Sequence, residues 1–365
     1  MQNTFRCLAA ALTIMVVAIA VPATGQDSGA PCLAEPTRQC ILDLAIHEVG
    51  EIEQVAVQGQ VLIDLINHLI QDGEIATAEA TAELVEDPEF RAFLLHPAYP
   101  FGLPRTDDER ENRLIDEAVA EIWAAIELQR TEAGPIIDSA LELIETGAVE
   151  RAMKRVEDID LPRDRIAALT ELALRQHANG DEAGAARTFG FAWQAAIQLA
   201  DPVGRTEALT NVASAQVEIS AAAGARRQAQ SIAYLPTQVE ALQAIAAAEI
   251  DAEDTENGLV TLRMAWEAAV SHDGAPYDLM LLTEQLREIS FAFENTGDLP
   301  AAEVTGALSS AMAGVTLEFL SPVNTAGQQA ASGGITEALL TAYSIDDRNL
   351  RTLALIAIVE AMPKA

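Results

Sequence analysis

One frame of residues recurs along this chain at near-constant spacing, and it restricts the possible folds sharply. Pro162-x-x-Arg165 is followed by Ala168-Leu169-Thr170-x-Leu172-Ala173. The frame returns 40 residues later as Pro202-x-x-Arg205 with Ala208-Leu209-Thr210-x-Val212-Ala213. It returns again, one residue tighter, as Pro236 with Ala241-Leu242-x-x-Ile245-Ala246, and a last echo is Leu353-x-x-Ile356-Ala357. A second signature is a Gly with Ala five residues on. It occurs as Gly73/Ala78, Gly147/Ala152, Gly180/Ala185, Gly297/Ala302 and Gly333/Ala338. Apolar residues recur at three- and four-residue spacing, and long alternating runs are absent, so the elements are helices. Gly and Pro punctuate them at the intervals that helix–turn–helix units need. Such a unit cannot bury its apolar face alone; stacking on its neighbours buries a continuous core. Alanine is about a fifth of the chain while aromatics are only 4%. Small residues let helix axes approach at the short end of the usual ~8–10 Å.

At Leu172-Ala173, Gly180-Asp181, Ala185, Phe189 and Ala192 the spacing is that of a tetratricopeptide repeat. The chain resembles that superfamily most clearly over residues 160–270. The resemblance implies an all-α, right-handed helical-repeat solenoid of antiparallel helix pairs. The first helix of each pair then lines a concave face. The aromatic usual in the first helix is replaced here by Gln176, Gln216 and Glu249. A generic right-handed α-solenoid, or a helical bundle in the N-terminal third, also fits the pattern.

Residues 1–25 read as a signal peptide. Arg6 precedes an apolar run from Leu8 to Val21, Pro22 breaks it, and Ala23-Thr24-Gly25 offers a cleavage site. The expected compartment is periplasmic or secreted. The run is shorter than the roughly 20 residues of a spanning helix, and no later segment reads as a membrane span. Export leaves Cys32 and Cys40 as the remaining cysteines, and a disulfide between them is expected. It would pin the entry of a first helix starting near Cys40, with Ile41, Leu44 and Ala45 on one face. Residues 26–159 form an N-terminal helical region with a proline-rich loop near 96–108. Residues 160–345 hold the helical repeats, clearest before 317 and less regular over 317–345. Residues 346–365 form a C-terminal capping helix.

Motifs that carry chemistry are scarce. None of the five histidines sits in a metal-ligand pattern, and no phosphate-binding, dinucleotide or nucleophile-elbow motif occurs. The acidic stretch ending at Gly258 lacks the last bidentate carboxylate of a calcium loop. The expectation is therefore no catalytic residue, no metal and no cofactor. A net charge of −34 disfavours nucleic acid and anionic membranes as partners. The concave face would present Glu207, Thr210, Ser214, Glu240 and Gln243, with His177 beside them. An acidic groove of this kind favours a basic protein partner. Tyr99 and Phe101, on the stiff proline-rich loop, are further binding candidates. Arg165 and Arg205 recur in register, as structural partners of neighbouring carboxylates or as anion contacts. The reading reached is an exported protein-interaction or scaffold module. An enzyme or enzyme subunit acting on envelope polymers, or a small-ligand sensor, is the alternative.

Overall fold

The computed structural model describes residues 30–95, 109–271 and 275–363. The leader and the loop at 96–108, with Tyr99 and Phe101, lie outside the described residues. Among the described residues every regular element is a helix. The first five are α1 (Ala30–Ala34), α2 (Arg38–Gly50), α3 (Val55–Gln71), α4 (Ile75–Ala82) and α5 (Pro88–Leu95). Then come α6 (Glu109–Glu145), α7 (Val149–Val156), α8 (Pro162–Ala178), α9 (Glu182–Ile197), α10 (Pro202–Glu218) and α11 (Ala222–Gln230). The rest are α12 (Leu235–Asp251), α13 (Thr255–Val270), α14 (Pro276–Asn295), α15 (Leu299–Ala331), α16 (Ile335–Tyr343) and α17 (Arg348–Ala361). Helices adjacent in sequence pack together, as in α8 with α9, α12 with α13 and α14 with α15, which is compatible with a helical-repeat fold.

The turns explain the Gly/Ala signature. Gly73, Gly147, Gly180, Gly297 and Gly333 all have positive φ. In each turn the glycine N–H returns to the carbonyl three residues back, and the next N–H to the carbonyl five back. This is the Schellman closure of a helix, and only glycine enters its left-handed position without a Cβ penalty. The alanine five residues on is buried every time. Ser220 and Glu253 close two more turns of the same form, also at positive φ. They are followed five residues later by buried Ala225 and by Gly258, where a Cβ would strike Ile250.

The proline frame marks helix starts. Proline stands in the first turn of α8, α10, α12 and α14, where its missing N–H costs nothing. In α8 and α10 an arginine stands three residues on and reaches back to the carbonyl six residues before it. Arg165 Nε donates to Ile159 O at 2.9 Å, and Arg205 Nη1 to Leu199 O at 2.9 Å. Arg91, three residues after Pro88, does the same to Val85 O at 2.6 Å, and Arg351 of α17 makes the same bond to Ile345 O at 3.1 Å without a proline before it. The arginine ties the incoming loop to the new helix, so its recurrence is structural.

Two large cores result, with a small cluster of Ala92, Ile126 and Leu161 beside them. One large core draws on residues from Ala133 to Ala302. The other joins Cys32–Leu95 to Tyr277 and to Val323–Val359. α17 packs against α2, α3 and α15, so the first and last helices share a core. Cys32 and Cys40 stand at disulfide distance with Cα atoms 5.6 Å apart. Ile41, Leu44 and Ala45 of α2 are buried behind them.

Residues 317–345, less regular in their repeat pattern, are helical outside the turn between α15 and α16 and the last residues. α15 runs unbroken through Pro322, because α14, α16 and α17 pack along it and tertiary burial outweighs the local breaker. By length and composition alone α15 is also long and apolar enough to cross a membrane, against the expectation that no later segment reads as a span. Its residues Leu299, Val304 and Leu317 are exposed.

Candidate functional site

α8, α10, α12 and α14 lie side by side, and grooves open on either side of α10. The first groove, about 460 Å³, is walled by α10, α12 and α14 on one side and by Ala56 and Gln60 of α3 on the other. α3 reaches this position through Gly59, where a methyl group would fall on the carbonyl oxygen of Ala200. The close approach explains a glycine inside an otherwise apolar helix.

Thr210, Glu240 and Gln243 all line this groove. Glu240 is held in place. Arg205 Nε donates to its Oε2 at 2.9 Å and the Thr206 hydroxyl to its Oε1 at 2.6 Å. The Thr210 hydroxyl turns back to Thr206 O at 2.8 Å. Gln243 Nε2 donates to Glu288 Oε2 at 3.3 Å and to Gln285 O at 3.4 Å. Glu284 and Glu288 add two carboxylates to the lining; Glu284 accepts from Arg287, and Arg205, the one cation lining the groove, is engaged by Glu240 and Leu199 O. Desolvation by the surrounding protein holds the Glu288 carboxyl above the ordinary carboxylate range; Glu284 adds to the rise and the Gln243 hydrogen bond opposes it. Tyr234 also lines the groove and donates to Asp278 Oδ1 at 2.7 Å.

The second groove, about 490 Å³, lies between α8 and α10 and contains Glu207. It rests on a buried ionic cluster. Asp201, fully buried at the start of α10, pairs with Arg163 and also caps its own helix through Val203 N at 3.0 Å. Glu89 of α5, 5% exposed, accepts from Arg130 Nη2 at 2.6 Å and lies 3.6 Å from Arg163 Nε. Arg163 Nη1 lies 3.5 Å from Glu207 Oε2. Burial raises the Glu89 carboxyl, with Arg163 opposing the rise. Gly204 leaves the space that the Arg163–Asp201 pair occupies.

The remaining expected residues stand elsewhere. Ser214 is exposed on α10 and lines neither groove. His177 ends α8, with Nδ1 2.9 Å from Glu182 Oε2, and also lines neither. Sequence reasoning missed Gln60, Glu284 and Glu288 in the first groove and Arg130 and Arg163 in the second. Pro88-x-x-Arg91 carried a findable signal for α5, because it repeats the helix-start frame. Among the described residues no group of three His, Cys, Asp or Glu is placed to hold a metal ion.

Comparison with protein-family models and with curated proteins finds no match to this chain.

Proposed function

We propose that the protein is an exported scaffold of tetratricopeptide-like helix pairs, a right-handed solenoid with antiparallel partners, working in the periplasm or outside the cell. It binds a protein partner of basic character along the groove beside α3. One observation carries this reading. The groove presents three carboxylates, Glu240, Glu284 and Glu288; Arg205 pairs with the first and Arg287 with the second, and among the described residues Glu288 pairs with no cation. Such a wall attracts cationic segments and speeds their encounter. The recurrent Schellman turns and the arginine ties support the repeat reading, and the apolar leader supports export.

The test is crosslinking of the full chain in its native host. Wild type should capture a stoichiometric basic protein from the exported fraction. Glu284→Gln/Glu288→Gln should reduce capture severalfold, and raised salt should do the same. Capture unchanged by both treatments would place the partner elsewhere. Detection of the unprocessed N-terminus in the mature protein would remove the export reading.

A further inference from the structure

Three consecutive units bury a polar side chain at one equivalent position, the third residue from the end of the first helix. These are Gln176, Gln216 and Glu249, exposed by 1%, 2% and 1%. Each stands 23 residues after a residue of the preceding short or second helix and 12 before one of the following helix. For Gln216 those neighbours are Trp193, whose Nε1 donates to Oε1 at 2.5 Å, and Gln228, whose Oε1 accepts from Nε2 at 3.3 Å. For Glu249 they are Arg226, which pairs with it, and Thr261, whose hydroxyl donates at 2.5 Å. Both groups are therefore satisfied from both sides.

Gln176 has no such partners. The same register places Met153 and Thr188 beside it, and the Thr188 hydroxyl turns to the Met153 sulfur at 3.9 Å. Neither Nε2 nor Oε1 of Gln176 has a hydrogen-bond partner. A buried carboxamide left unmade in this way is costly and asks for an explanation. The explanation lies in what it faces. Gln176 lines a groove of about 730 Å³ between α7 and α9, floored by α8. Arg165, Leu169 and Gln176 form one stripe of α8, roughly opposite the stripe of Arg163, Ala167, Thr170 and Leu174 that lines the second groove. It shares no lining residue with the groove beside α3 either, so the site is separate from the proposed partner face.

The walls define the ligand. Val149, Met153, Leu169 and Phe191 make them apolar, and Phe191 is 55% exposed there. Lys154 and Arg187 line the same groove with no ion pair, although most described arginines are paired with carboxylates. Glu150 and Glu157 also line it without engaging them. The volume is that of a small-molecule site. We propose that this groove binds a free N-acyl amino acid. Its amide group pairs with both atoms of Gln176, its acyl chain lies on the apolar wall, and its carboxylate meets Lys154 and Arg187.

Isothermal titration of the full chain with N-octanoylglycine tests this. Saturable binding is expected from wild type. Decanoate, which lacks the amide, and N-octanoylglycinamide, which lacks the carboxylate and stands for an acylated peptide, should each bind at least about tenfold more weakly. Gln176→Leu and Lys154→Met/Arg187→Met should show similar losses. Without ligand, Gln176→Leu should keep or raise the melting temperature, because it removes an unsatisfied group, whereas Gln216→Leu should lower it by stranding Trp193. Three results would overturn the proposal. One is no saturable binding by wild type. Another is equal binding of either analogue. The third is a melting loss for Gln176→Leu as large as that for Gln216→Leu, which would mean that ordered water satisfies the amide as part of the fold.

Discussion

From α8 to α13 the commonest buried residue is alanine. Where α2 and α3 meet α17, the buried residues are mainly leucine, isoleucine and valine. The two regions face different burial problems. In the array each helix packs on the next one in sequence, so little loop entropy is spent per contact, and small residues at close range suffice. Joining the first helices to the last closes nearly the whole chain, as the hydrogen bond from Arg348 to Glu51 O shows across 297 residues. That closure costs more entropy, and larger apolar side chains offset it by transferring more surface from water. The small-residue array thus carries regular grooves, while the branched-residue closure carries the wall that shapes one of them.

The contrast also decides what could be read in advance. The five Gly/Ala pairs identified five turns because a left-handed turn selects glycine wherever it can. Ser220 and Glu253 occupy the same backbone position without the residue that announces it, so their turns gave no signal. Thr210, Glu240 and Gln243 were legible as one surface because they share the repeat register. The wall formed by Ala56 and Gln60 was not legible, since nothing local says which distant helix will cross α10. Only Gly59 hinted at a close approach there, and it did not say to what.

The comparison breaks most severely at Arg163, which joins α5 to α8 and α10. Arg163→Met strips the charge partner from fully buried Asp201 and from Glu89. Breaking a buried pair on one side costs about 3–5 kcal/mol. Urea unfolding should show that loss, and adding Asp201→Asn should restore part of it. If the single variant loses less than the double, the cluster is not the junction between the regions.

Gly59→Ala attacks the junction from the α3 side. The added methyl meets backbone at Ala200, which cannot turn away. The expected cost is about 1–3 kcal/mol. Hydrogen exchange should rise in α3 while α12 and α13 stay protected. Uniform loss of protection would mean that the two cores open as one unit.

Within the array the turns can be exchanged. Glu253→Gly and Ser220→Gly relieve a left-handed L-residue, and each should add about 0.5–1 kcal/mol after the entropy of glycine is subtracted. Gly180→Ala should cost the same, about 0.5–1 kcal/mol, at the same backbone position. Thermal unfolding of the three variants measures the equivalence of the turns. Equal effects in both directions would sharpen the view that these are copies of one device.

The smallest expected effect lies in the closure, at Asp64 of α3. Desolvation lifts its carboxyl from 3.8 to about 6, Glu360 of α17 adds to the rise, and a Gln60 hydrogen bond opposes it. A carboxyl whose folded value is raised favours the protonated folded state. Its contribution to stability is complete at acid pH and is lost as pH climbs through about 6. Asp64 is crowded on one side but keeps part of its surface in solvent, so the loss is under about 1 kcal/mol. Asp64→Asn keeps the uncharged form at every pH. The variant and wild type should melt together near pH 4, and the variant should melt higher near pH 8. A difference that does not grow with pH would mean that α3 and α17 do not crowd this carboxylate, and their tight apposition would fail at that point.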